Sequence, residues 1–108
     1  MAMKTRWIPV SEKMPARLQR VYVVCKDNVS DVRYQTIAEY VPYMSVKEED
    51  YMHPEYYREG DYNEEEDVFY TKQGFYEWQS ESDIYYRISA HVTHWMPLHE
   101  LPQQNTKK

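Results

Sequence analysis

The groups in this 108-residue chain that could do chemistry are four histidines, one cysteine and 18 carboxylates. His91, His94 and His99 form an H-x-x-H-x4-H run. On a strand, His91 and His94 have opposite parity and point to opposite faces, so sharing a metal would require a bulge. The spacing also misses the i, i+4 pair through which a helix presents two imidazoles to zinc. His53 is distant in sequence. A structural or solvent-exposed role is the expectation for these residues, and no metal ligand set is assigned. Asp61-Tyr62-Asn63-Glu64-Glu65 opens like a calcium loop, but Glu66 stands where glycine is required and Lys72 where the bidentate glutamate belongs.

The signatures of catalysis are missing from the pattern. Gly60 and Gly74 are the only glycines, so no glycine-rich loop can cradle a phosphate. There is no G-x-S-x-G and no evident Cys–His pairing. Carboxylates are plentiful, but acid–base work needs a buried pair with separated pKa values. Glu39 or Glu77 would have to lie buried beside a pocket for an enzyme to be taken up. Cys25, in V-Y-V-V-C, reads as a small core residue, and a single cysteine excludes an internal disulfide. No cofactor is expected. The enzymatic alternative is a small enzyme or ligand-binding domain with a site near Trp95, His94 and Glu77.

Charge is concentrated in one segment. Residues 47 to 67 hold ten of the 18 acids against Lys47 and Arg58, a net of −8, in a chain whose total is −5. Such density disfavours a packed core, and a solvated loop is the plain reading. The functional reading is recognition. Tyr51, Tyr56, Tyr57 and Tyr62, with Glu64 and Glu65, would offer contact area at low entropic cost, and the acids would steer a basic host or phage protein. With no basic patch and a negative net charge, nucleic acid is not an expected partner. The first residues break at Pro9 and do not resemble a signal peptide, and no run approaches the length of a membrane span, so a cytoplasmic protein is the default.

The elements that must position these residues read as mainly β, or α+β with one short helix. A small, largely antiparallel sheet of about five strands carries the acidic insertion at 45–67. One globular domain covers residues 1–102, and 103–108 form a flexible tail. Twelve tyrosines against two phenylalanines suit a thin core or an adhesive surface. Trp7 to Val10 is a short extended piece. Arg20 to Cys25 is the strongest strand, with the composition of a central strand buried on both faces. Gln35 to Met44 is its antiparallel neighbour, limited by Pro42. Val68–Thr71 and Phe75–Trp78 read as a hairpin turning at Gly74. Pro54 to Gly60 is compatible with one or two turns of helix. Ile84–Ile88 and His91–Met96 complete the strand-like runs. An edge strand and exposed Tyr are compatible with a homodimer.

Two motifs carry a resemblance. Trp7-Ile8-Pro9-Val10-Ser11-Glu12-Lys13-Met14-Pro15 resembles the opening motif of the "domain of unknown function 551" family, and Val92-Thr93-His94-Trp95-Met96-Pro97-Leu98 resembles its closing motif. The family occurs in small phage, prophage and bacterial proteins. The resemblance implies no established activity, substrate or catalytic residue. This chain departs from the family where Leu98-His99-Glu100-Leu101-Pro102 replaces the more usual Leu-Pro-Glu-Pro-Pro. Each motif is an extended stretch holding a Trp with a proline close behind, which suits sheet edges or ends. Trp7, Pro9, Trp95 and Pro97 are therefore expected to be structural, with Trp7 and Trp95 on one side of the fold, closing the core.

Overall fold

The computed structural model describes residues 6–51, 60–79 and 84–98. Within them the chain is mainly β. Its strands are β1 (Ile8–Pro9), β2 (Arg20–Lys26), β3 (Arg33–Val41), β4 (Asp61–Asn63), β5 (Val68–Tyr70), β6 (Gly74–Gln79), β7 (Ile84–Arg87) and β8 (His91–Pro97). Six of them form one antiparallel sheet in the order β1-β8-β2-β3-β6-β7, and β4 and β5 form a separate two-stranded sheet. The expected short helix falls mostly on residues 52–59, outside the described residues, as does the expected tail. The one helical element among the described residues is a single 3-10 turn, Glu48–Asp50.

β2, a β-branched and aromatic run, lies between β8 and β3. Val21, Val23 and Cys25 are fully buried on one face. Tyr22, Val24 and Lys26, on the other, are only half-buried, so the strand is not covered equally on both sides as expected. Each face carries its own core. Val21, Val23, Cys25, Ala38, Tyr40, Phe75 and Trp95 form the first. Val41, Val46 and Tyr76 form the second, with Leu18, Tyr51 and Tyr85 packed against it. Burying each of these Val side chains contributes about 1.5–3 kcal/mol.

The two Trp-containing motifs meet directly. β1 pairs with β8, setting Ile8 opposite Trp95 and Pro9 opposite His94. The indole N–H of Trp95 donates to the Lys13 carbonyl at 2.8 Å, tying the closing motif to the opening one. β1 is an edge, as its proline suggests, but β8 is not, since β2 covers its other side. Trp95 is buried, whereas Trp7 is only half-buried.

Three further expectations are corrected. Val68–Tyr70 does not form a hairpin with Phe75–Trp78. It pairs back onto Asp61–Asn63, while β6 pairs with β3 and β7. The reason is that Phe75 and Tyr76 enter opposite cores, which requires β6 to lie inside the large sheet. Gly74 is accordingly a strand residue opposite Val41, crossed by Arg87, whose Nε would lie 2.8 Å from an added Cβ.

The acidic insertion is not wholly solvated either. Val46 and Glu48 are buried, the Val46 carbonyl accepts from the Thr71 N–H, and the Glu48 carboxylate accepts from the Gly60 N–H at 2.9 Å. Finally, the β2–β8 register shifts between Val24 and Cys25, which face His94 and Val92. This bulge turns Val92 toward the first core. It also puts His91, opposite Lys26, and His94, opposite Val24, on the same face rather than on opposite ones.

Candidate binding groove on the sheet

A concavity opens where β3 and β6 diverge. Their ladder covers Glu39↔Tyr76, Tyr40↔Phe75 and Val41↔Gly74, and then stops, although β3 extends back to Arg33 and β6 on to Gln79. Backbone groups alternate in direction along a strand. Tyr40 bonds Gln19 and Leu18 on the β2 side, so Glu39 and Ile37 turn their N–H and C=O toward β6. The Phe75 carbonyl accepts from Ile88 on the β7 side, so Tyr76 and Trp78 turn theirs toward β3. Ile37 and Trp78 therefore present backbone donors and acceptors to the wedge, beyond the last ladder pair.

The resulting groove has a volume of about 580 Å3, and its lining includes Arg20, Ile37, Glu39, Tyr76, Trp78 and Tyr85. These side chains share a face because Glu39 opposes Arg20 and Tyr76, and Trp78 opposes Tyr85. Tyr51 and Tyr85 stack with centroids 4.5 Å apart and planes 10° from parallel, and Trp78 meets Tyr85 edge-on at 4.9 Å. Trp78 remains 45% exposed.

Glu39 anchors this aromatic set. One carboxylate oxygen accepts from the Tyr51 hydroxyl at 3.0 Å and the other from the Tyr85 hydroxyl at 2.9 Å. Burial, followed by the neighbouring Glu39 charge, holds the Tyr51 hydroxyl far above the ordinary tyrosine range. Tyr85 is raised by burial and by its bond to Glu39, with Arg20 opposing. Both phenols therefore stay protonated donors. No ion pair forms on Glu39 among the described residues, although Arg20 lines the same groove.

Glu77 is turned away. Its carboxylate accepts from the Thr36 hydroxyl at 2.7 Å on the face opposite Glu39, although Thr36 and Glu77 also line the groove. The constellation of Trp95, His94 and Glu77 does not assemble. Trp95, Val23, Thr36 and Glu77 form a row across one face, with Trp95 and Glu77 at its ends. His94 lies on the other face, its Nδ1 2.9 Å from the Thr93 hydroxyl. Among the described residues no group of three or more His, Cys, Asp or Glu could hold a metal ion. Cys25 lies fully buried in the first core, where burial pushes its thiol up.

Of the tyrosines and acids expected to form a recognition surface, Tyr51 belongs to this groove. Tyr62, Glu64 and Glu65 lie on the separate β4–β5 hairpin, where Tyr62 is half-exposed and both acids are exposed. Tyr56 and Tyr57 lie outside the described residues. Trp78, Tyr85, Ile37 and Arg20 carried no motif. The only signal for them was strand parity, which becomes readable once the partners of β3, β6 and β7 are known.

The model of a family described as "Protein of unknown function (DUF551)" matches residues 6–103. The chain belongs to this family. No curated protein and no solved structure gives a significant match. The two Trp-containing motifs of this chain are the paired β1 and β8 strands, and the groove lies away from them, between β3 and β6. No helix among the described residues is long and apolar enough to cross a membrane.

Proposed function

We propose that this chain is a non-enzymatic, protein-binding accessory domain of phage or prophage type, acting in the cytoplasm on a basic host or phage protein. The observation that carries this reading is the order within the acidic segment. The Tyr62 hydroxyl donates to Asp67 at 2.6 Å and the Tyr70 hydroxyl to Glu66 at 2.7 Å. The Glu66 N–H donates to the Asn63 side chain at 2.9 Å, closing the turn. Glu64 and Glu65 stand exposed at its tip beside the exposed Tyr62 ring. A hairpin whose aromatic and acidic groups are already held in place loses little entropy on binding, and its charge accelerates encounter with a cationic surface.

β5 bridges through Tyr70 to Lys47, in the segment after β3 and one 3-10 turn before Tyr51. The hairpin is therefore tied to the segment that delivers Tyr51 to the groove. The test is capture of partners from host lysate by the intact chain and by a Tyr62→Ser, Glu64→Gln, Glu65→Gln variant. Lysine- and arginine-rich proteins retained at low salt and lost with the variant are the expected result. The same proteins recovered by both forms would refute the assignment.

A further inference from the structure

We infer that the wedge between β3 and β6 is a subsite for an arginine side chain of the partner, a deepening that rests on the protein-binding reading above. Glu39 is a half-buried carboxylate held by two neutral phenols, with no cation paired to it among the described residues. Its negative charge faces a groove walled by aromatic rings, and cations are attracted to both. Trp78 is 45% exposed, and Tyr85 lies beside it. The backbone carbonyls of Ile37 and Trp78 turn into the same wedge beyond the ladder.

A planar group with several donors matches this set of a carboxylate, two carbonyls and flat ring faces. Guanidinium has that shape, stacks on aromatics and is weakly hydrated, whereas an ammonium is a compact, strongly hydrated point charge. An anionic ligand would meet Glu39 head-on. Arg20, opposite Glu39 in the groove lining, opposes rather than assists a cation and sets an independent check.

The experiment is a titration of the 15N-labelled chain with N-acetyl-arginine methylamide and its lysine, citrulline and glutamate counterparts. Saturable shifts of the Trp78 indole N–H and the Ile37 amide are expected with arginine. Binding should be weaker with lysine and about tenfold weaker with citrulline, which keeps the shape and loses the charge. Glu39→Gln should abolish both shifts and Trp78→Ala that of the Ile37 amide, while Arg20→Ala should leave affinity equal or higher. Because Trp78 is exposed, Trp78→Ala tests the site without removing a core residue. Equal response to arginine and citrulline, preference for glutamate, or no response at these two reporters would overturn the subsite. If the groove stays silent while basic proteins still depend on Tyr62, Glu64 and Glu65, the subsite fails and the binding function stands.

Discussion

The Trp95 indole N–H and the Lys13 carbonyl are hydrogen-bonded at 2.8 Å, joining residues 82 positions apart. With the Ile8↔Trp95 pairing, this bond makes the two family signatures one structural unit. Trp95→Phe keeps most of the ring and loses the donor, and because the Lys13 region is exposed, water can replace it. The expected cost is about 1 kcal/mol. Trp95→Ala should cost about 3–5 kcal/mol, since the ring fills the core against Val23. Urea denaturation of both variants checks the ordering. Deleting residues 1–10 should also destabilise the chain, by uncovering β8.

Thr71 is fully buried, and its hydroxyl finds no hydrogen-bond partner among the described residues. Its backbone N–H is engaged by Val46 and does not depend on the side chain. Thr71→Val removes a buried polar atom at almost constant volume. Stability should therefore be unchanged or higher by about 1 kcal/mol, read as the thermal midpoint.

Gly60 approaches the Tyr70 carbonyl and the Glu48 carboxylate so closely that an added Cβ would collide with both. Gly60→Ala should destabilise the fold by more than the loss of glycine flexibility could offset, by about 1–3 kcal/mol. Glu48→Ala should be destabilising too, because it leaves the Gly60 N–H without its acceptor. Chemical denaturation of the two single variants and the double variant will show coupling if the contact is shared.

Tyr51 and Tyr85 make stability fall at alkaline pH. Their hydroxyls are raised above the ordinary value of 10.0 in the folded chain. Below that value both states hold the proton. Above it the unfolded chain releases protons that the folded chain retains, so folding stability declines as pH rises. A spectrophotometric tyrosinate titration should show a fraction of the rings ionising only together with unfolding. Tyr51→Phe should lessen this alkaline loss.

Asp67 adopts a left-handed conformation, φ 57°, at the end of the β4–β5 turn. Asn tolerates that geometry and a β-branched residue does not. Asp67→Asn should be nearly neutral, whereas Asp67→Val should cost about 1–2 kcal/mol and remove the Tyr62 tether. Thermal unfolding together with Tyr62 side-chain order by NMR separates the two effects.

Much of this protein is written locally in its sequence. The β-branched and aromatic run from Arg20 to Cys25 identifies the central strand, although only the structure shows that Val21, Val23 and Cys25 form its buried face. Pro42 marks the end of β3 because its ring removes a ladder donor. The two Trp-containing motifs identify the family, and they pair as expected, although Ile8 rather than Trp7 lies opposite Trp95.

What the sequence could not settle depends on pairing between distant residues. Val68–Tyr70 and Phe75–Trp78 are each good strands, but nothing local decides that they turn away from one another. That choice comes from Phe75 and Tyr76 filling opposite cores. His91 and His94 come onto one face through a bulge opposite Val24 and Cys25, a registry event set by β2. The groove is the furthest case. Glu39, Tyr51 and the Trp78–Tyr85 pair come from separate parts of the chain, and their meeting is decided by the pairing of β3, β6 and β7. Sequence determines which way each side chain points along its strand, a short-range steric property. Only the tertiary structure determines which strands are neighbours, because that follows from burying two cores at once.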